Sequence, residues 1–379
     1  MQDDKIYRLF SPCIAVRGWR RSLIADLNRH QSFYIPNDLV KVLDYGYNRP
    51  WKDVVRHFGE ENREALESYY DYLNRNELIF ELDCHERGLF PKFSLDWDFP
   101  SLCSNAILDW NENSAYNMVA AIQRLSEINC CHLQLRFFSD IGIEKVKELL
   151  SVCQELDFNT IQLAFRFDAS AEQDYEPLFD MCWKLAKVEV FSAPYDRIVP
   201  KMGNLCLLAF YHSKSLEVKQ CGCVSKDYFV TETNHFTEAQ HHNTCLNRKI
   251  CIDANGDIRN CPAMKKTYGN IRDTTLKEAI EKPGFKECWT ISKDQIDVCK
   301  DCEFRYMCTD CRAFIKDPAN PYSQPAKCTY NPYICLWEGQ DGYVPVEECG
   351  TYNRETGFVP DKEKIAELNR RVWEEAAND

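Results

Sequence analysis

The 21 cysteines in this 379-residue chain are its strongest chemical signal, and eight of them form a spaced series. The series reads Cys245-x5-Cys251-x9-Cys261, then Cys299-x2-Cys302-x5-Cys308-x2-Cys311-x16-Cys328. Eight thiolates make two sets of four, and both zinc and cubane iron–sulfur clusters accept such sets. Spacing alone leaves the metal open, because paired CxxC knuckles also occur in zinc ribbons. His241 and His242, just ahead of Cys245, are candidate zinc ligands, with a solvated loop as the plainer reading.

Clustered cysteines imply disulfides in an exported chain, and metal or redox chemistry in a reducing compartment. The opening MQDDKIYRLF lacks the basic-then-apolar pattern of a secretory signal. A cytoplasmic location is therefore expected. The net charge of −13 argues against nucleic acid or a membrane surface as partner. The basic cluster Arg17, Arg20 and Arg21 is too small to reverse that. No apolar run approaches the ~20 residues a membrane span needs.

The elements that must position these cysteines fall into several regions, since the chain is long for one core. Residues 1–83 begin with β-like runs (IYRLFSPCIAV, RSLIADL, SFYIP) and turn helical. Trp51, Val54, Val55 and Phe58 share one face, as do Leu66, Tyr69, Tyr70 and Leu73. Pro50 suits a first helical turn after Asn48, and LIFEL at 78–82 closes the region. Residues 84–97 read as a linker.

From 98 to 240, strands NAILDW, HLQLRFF, TIQLAFRF, KVEVF and LCLLAFY alternate with amphipathic helices. One helix face is Val146, Leu149, Leu150 and Cys153; another is Leu178, Met181, Cys182 and Leu185. Repeated βα units predict a parallel sheet, here enough for a partial barrel. Residues 241–350 hold the cysteine series. There KICIDANGDIRNCP predicts a hairpin turning at Asn255-Gly256 that would bring Cys251 and Cys261 together. Thr275 and Glu278 fit a capping box. In the tail, 351–379, Ile365, Leu368 and Val372 mark a short amphipathic helix.

The order of a first cysteine, Gly256-x4-Cys261, C-x2-C-x5-C and two further cysteines resembles the SPASM domain of radical SAM peptide maturases. The resemblance implies two auxiliary 4Fe–4S clusters with interleaved ligands. One would take Cys245, Cys251, Cys261 and Cys311; the other would take Cys299, Cys302, Cys308 and Cys328. The family's x3 before its fourth cysteine is x2 here, between Cys308 and Cys311, which leaves the partition open to Cys335 or Cys349. The N-terminal pattern of three strands, three helices and a closing strand resembles the winged-helix modules that bind leader peptides. That resemblance implies an added peptide strand near Phe33, Tyr34 and Ile35, with Tyr69 and Leu73 facing it. Core packing is the plainer reading of those side chains.

CKDCEFRYMCTDCRAFI, CIDANGDIRNCPAM and LFSPCIAVRGWRRSLIADL together resemble the SPASM-domain maturases of grasp-with-spasm systems. In these systems the protein accompanies an ATP-grasp ligase and a short precursor peptide. The fold this implies is α/β and multi-domain: a winged-helix-like module, a degenerate partial (β/α) barrel of radical SAM type, and a cysteine-rich SPASM domain. Radical SAM enzymes carry CxxxCxxC after the first barrel strand, yet the loop after NAILDW is NENSAYN, and no C-x3-C-x2-C occurs anywhere. HLQLRFFSD also lacks a GGEP-like end. No S-adenosylmethionine is therefore expected.

Cys103, Cys130, Cys131, Cys153, Cys182 and Cys206 fall within strand or helix patterns, where cysteine acts as a small apolar residue. Cys221-x-Cys223 lies in a loop and can be redox-active or bind metal. Asp109 and Glu112 stand where barrel chemistry usually sits, with a solvated rim the plainer reading. The expected function is a maturation partner that binds the precursor's leader and acts with the ligase, its clusters mainly structural. A SAM-independent iron–sulfur oxidoreductase and a zinc-stabilised interaction protein are the alternatives.

Overall fold

A computed structural model describes residues 1–218 and 221–375. The first run, IYRLFSPCIAV, breaks where Cys13 donates its N–H to the Phe10 carbonyl at 2.8 Å. Pro12 has no N–H for a ladder, so one expected strand becomes two, in different sheets. β1 (Ile6–Leu9) and β2 (Cys13–Val16) are followed by β3 (Ser22–Asp26), β4 (Gln31–Ile35), α1 (Asn37–Gly46), α2 (Trp51–Phe58), α3 (Arg63–Arg75) and β5 (Ile79–Leu82). β1 pairs antiparallel with β5, and β2–β3–β4 form an antiparallel sheet with β4 at its edge. Pro50 caps α2 from outside, not from within its first turn. Trp51, Val54 and Val55 of α2 and Leu66, Tyr70 and Leu73 of α3 are buried with Ile24 and Ile35 in one core.

β3 is buried at all five positions, because its two faces serve two cores. Ile24 faces the helices, whereas Leu23 and Ala25 pack with Phe236 and with Phe304, Met307 and Tyr330 of the cysteine-rich region. The N-terminal sheet is thus shared between the region before residue 84 and the region after 235.

The middle of the chain runs β6 (Asn105–Trp110), α4 (Met118–Glu127), β7 (His132–Phe137), α5 (Ile143–Glu155), β8 (Thr160–Arg166), α6 (Glu172–Tyr175), α7 (Leu178–Met181), β9 (Leu185–Phe191), β10 (Arg197–Lys201) and β11 (Cys206–Tyr211). α5 buries Val146, Leu149, Leu150 and Cys153 as its periodicity predicts. The expected second helix face does not form. α7 is a single turn, Met181 is 41% exposed, and Leu185 already begins β9. RIVPK carries no clear strand pattern yet forms β10; as an antiparallel edge strand it tolerates Pro200, which a central strand would not.

The rest comprises α8 (Thr233–His241), β12 (Lys249–Ile252), β13 (Ile258–Arg259), α9 (Leu276–Glu281), β14 (Tyr330–Asn331), β15 (Leu336–Trp337), β16 (Gly350–Asn353), β17 (Gly357–Pro360) and α10 (Lys362–Asn369). β12 runs parallel to β6, so the cysteine-bearing hairpin completes one eight-stranded, mostly parallel sheet ordered β10-β11-β9-β8-β7-β6-β12-β13. One face of that sheet (Ala106, Leu108, Leu133, Leu135, Ile250, Ile252) packs on α4 and α5. By alternation, Ile107, Asp109, Gln134, Arg136, Lys249 and Cys251 face the other way. The tail packs on its own protein through Ile365 and Leu368. Among the described residues no helix is long and apolar enough to cross a membrane.

Candidate functional site

Cys299, Cys302, Cys308 and Cys328 all line one cavity of about 370 Å³, with Phe229, Val298, Phe304 and Trp337 among its other walls. Tight turns aim these sulfurs. Cys302 donates its N–H to the Cys299 carbonyl at 3.0 Å, Cys308 to Phe304 at 3.0 Å, and Cys328 to Pro325 at 3.2 Å. Lys293 reaches the same cavity, and its buried Nζ lies 3.9 Å from Cys299 Sγ and 3.7 Å from Cys308 Sγ. Burial pushes the Cys299 and Cys308 thiols up to about 11, so a metal binding here must displace protons.

Asp310, between Cys308 and Cys311, ties this cavity to a second group of cysteines. Its carboxylate lies 3.5 Å from Lys293 Nζ and accepts from Arg312 at 2.7 Å and from Asn243 Nδ2 at 2.5 Å. Asn243 in turn accepts the N–H groups of Cys245 and Leu246 at 3.1 and 2.8 Å, shaping the turn that presents Cys245. Lys249 Nζ lies 3.6 Å from Cys245 Sγ. Cys245 neighbours both Cys261 and Cys311.

Cys251 stands apart from that group. It pairs with Arg259 on β13, and its charged neighbours are Asp109, Arg136, Asp253 and Arg259. The thiol of Cys261 meets Cys221 instead, a residue outside the spaced series. Its only trace in the sequence is the loop pair Cys221-x-Cys223. Cys335 is buried against the N-terminal sheet, and Cys349 accepts a hydrogen bond from Asn331 at 3.3 Å in the tail's core. His242 packs against Trp97, ring centroids 5.2 Å apart, and His241 is solvent-exposed.

Among the described residues no three His, Cys, Asp or Glu side chains converge as one bound ion requires. Four thiolates at about 2.3 Å from one zinc crowd within about 4 Å of each other, whereas a cubane is a larger body whose ligands stand farther apart. Four thiols spread around one largely apolar cavity are the donor set that the larger group takes.

The five side chains expected at a peptide edge are placed unequally. Leu73 and Ile35 are buried in the N-terminal core, and Phe33 and Tyr69 are half-buried against it. Tyr34 is 42% exposed; Arg21 lies over its ring at 3.8 Å, and Phe304 meets it edge-on at 6.0 Å. The hydroxyl of Tyr72 donates to the Tyr34 carbonyl at 3.3 Å.

Asp109 is no solvated rim residue. It is 2% exposed and receives two hydrogen bonds from Arg136 on the adjacent strand, each 2.7 Å. Both charges are thereby paired, and neither is free for proton transfer. The loop after β6 is held by Tyr116, whose hydroxyl donates to the Asp109 carbonyl at 2.5 Å.

Residues 244–303 match the SPASM family, an iron-sulfur cluster-binding domain. Comparison with curated proteins finds no match. Among solved structures, Streptococcus suis SuiB bound to S-adenosylmethionine aligns over 84% of this chain and 99% of its own, at 11% identity and a TM-score of 0.32. SuiB bound to its precursor peptide SuiA aligns over 86% and 98%, at 11% identity and a TM-score of 0.33. Segment 244–303 is thus the part with a shown family likeness, and it carries Cys245, Cys251, Cys261, Cys299 and Cys302.

Proposed function

We propose that this chain is a maturation protein for a ribosomally made peptide. It binds the precursor's leader along β4 and works with an ATP-grasp ligase, without S-adenosylmethionine. Two 4Fe–4S clusters hold its cysteine-rich region in shape. The observation that carries this reading is the cavity lined by Cys299, Cys302, Cys308 and Cys328, whose wall residue Phe304 also packs on the N-terminal sheet. A cluster there fixes the surface on which β4 rests. β4 has a ladder partner on one side only, the arrangement a peptide strand can extend.

Anaerobic purification tests the cofactor: about eight irons per chain with absorbance near 400 nm is expected. A colourless, zinc-loaded protein would overturn it. Reconstituting precursor and ligase with and without this chain tests the role. The ligase product should depend on the chain. A mass change on the peptide that needs this protein but no ligase would make it an enzyme in its own right.

A further inference from the structure

We propose that Cys221 is the fourth ligand of the first cluster, beside Cys245, Cys261 and Cys311, and that Cys251 is not a ligand. This rests on the proposed cluster-binding reading and deepens it. Five cysteines compete for four positions, and their contacts separate them. Gly222, the residue after Cys221, packs against Cys311, and the Cys221 and Cys261 thiols lie within electrostatic reach of each other. Cys245 neighbours both Cys261 and Cys311. Each of the four therefore lies within electrostatic reach of at least two others, without the close convergence a single ion would need. Lys249 Nζ lies 3.6 Å from Cys245 Sγ and within electrostatic reach of Cys261 and Cys221; Arg136 reaches both Cys221 and Cys251, but Asp109, Asp253 and Arg259 surround Cys251.

The loop is built to bring Cys221 in. Gly222 has φ +86°, a conformation that suits glycine, and a Cβ there would stand 3.0 Å from Cys311 Sγ and 3.2 Å from the Phe314 ring. Lys327 Nζ anchors the Cys221 carbonyl at 2.7 Å, one residue before Cys328 of the other set. Cys221 is solvent-exposed and lies outside helix and strand, so a cluster can reach it without breaking a ladder. On binding, the thiol releases its proton to solvent and the thiolate sulfur bonds one iron. Cys251 is fixed on a central strand, fully buried between β6 and β13.

Iron and sulfide counts, with electron paramagnetic resonance of the reduced protein, test this on Cys221→Ala, Cys223→Ala, Cys245→Ala and Cys251→Ala. The expectation is that C221A and C245A both fall from about eight to about four irons per chain, or lose one of two overlapping signals. C223A and C251A should keep the wild-type count and spectrum, with circular dichroism confirming that C251A is folded. A wild-type iron count in C221A, beside a loss in C245A, overturns the Cys221 assignment and leaves the cluster reading standing. Wild-type protein without iron overturns both.

Discussion

Lys293 and Asp310 face each other at 3.5 Å in the interior, each at most 4% exposed, between the two groups of cysteines. Asp310 also holds Arg312 and, through Asn243, the turn carrying Cys245. Removing the carboxylate strands two buried cations at once. Asp310→Ala is expected to destabilise the protein by about 3–5 kcal/mol, the usual cost of leaving one half of a buried ion pair unpaired. Denaturant melts check the stability. Iron release to a chelator should also accelerate, for both cysteine groups together.

Arg21, just ahead of β3, reaches Glu303 at 2.7 Å, and the hydroxyl of Tyr330 donates to the same oxygen at 2.6 Å. Glu303 is fully buried, so Arg21→Ala leaves a buried carboxylate with Tyr330 alone. A loss of about 3 kcal/mol is expected. The N-terminal region should loosen first, which limited proteolysis would register as earlier cleavage within residues 84–97. Unchanged cleavage kinetics would count against this joint.

Leu73 and Tyr34 should respond differently to truncation. Leu73 is fully buried, so Leu73→Ala is expected to cost about 2–5 kcal/mol in stability. Tyr34→Ala should leave the fold in place and, if the leader lies along β4, weaken its binding by about tenfold, near 1.4 kcal/mol. Calorimetric titration with the precursor peptide reads the second effect; thermal melts read the first.

His235 gives the protein an acid weakness. Burial, then the nearby positive charge of Lys293, depress its pKa from 6.5 to about 4, and its Nε2 is buried without a hydrogen-bond partner. The folded state therefore refuses a proton that the unfolded state accepts below about pH 6.5. The stability present above pH 6.5 is lost as pH falls toward 4. His235→Gln should flatten that slope, measured as denaturation midpoints at pH 7 and pH 5. Equal slopes for both proteins would discard the assignment.

Local signals in the chain translated directly into structure. Asn255-Gly256 makes its turn with Gly256 at φ +84°, and Thr275 and Glu278 exchange both capping-box hydrogen bonds. NAILDW becomes β6 residue for residue. What stayed hidden depends on through-space partners. Which sulfurs face each other is set by how β12 docks on β6 and where the Cys221 loop lands, and no spacing rule encodes either. Leu73 and Tyr69 share a helix face, yet only packing against Ile24 and Ile35 decides that Leu73 is core. The apolar spacing from Leu178 to Leu185 suits a helix because strand and helix share apolar residues there, and the switch at Cys182 leaves no local mark.

The pairing of β12 with β6 also has a consequence for how the chain can be made. Some 140 residues separate Asn105 from its partner Lys249, so β6 emerges from the ribosome long before its neighbour exists. Until Lys249–Ile252 arrive, one side of a hydrophobic strand lies open, a template for unwanted pairing. A chain ended ahead of residue 249 should therefore clump instead of yielding a tidy N-terminal fragment. The strand that closes the sheet also carries Cys251, so the order of synthesis leaves β6 unpaired until the first part of the cysteine series has been made.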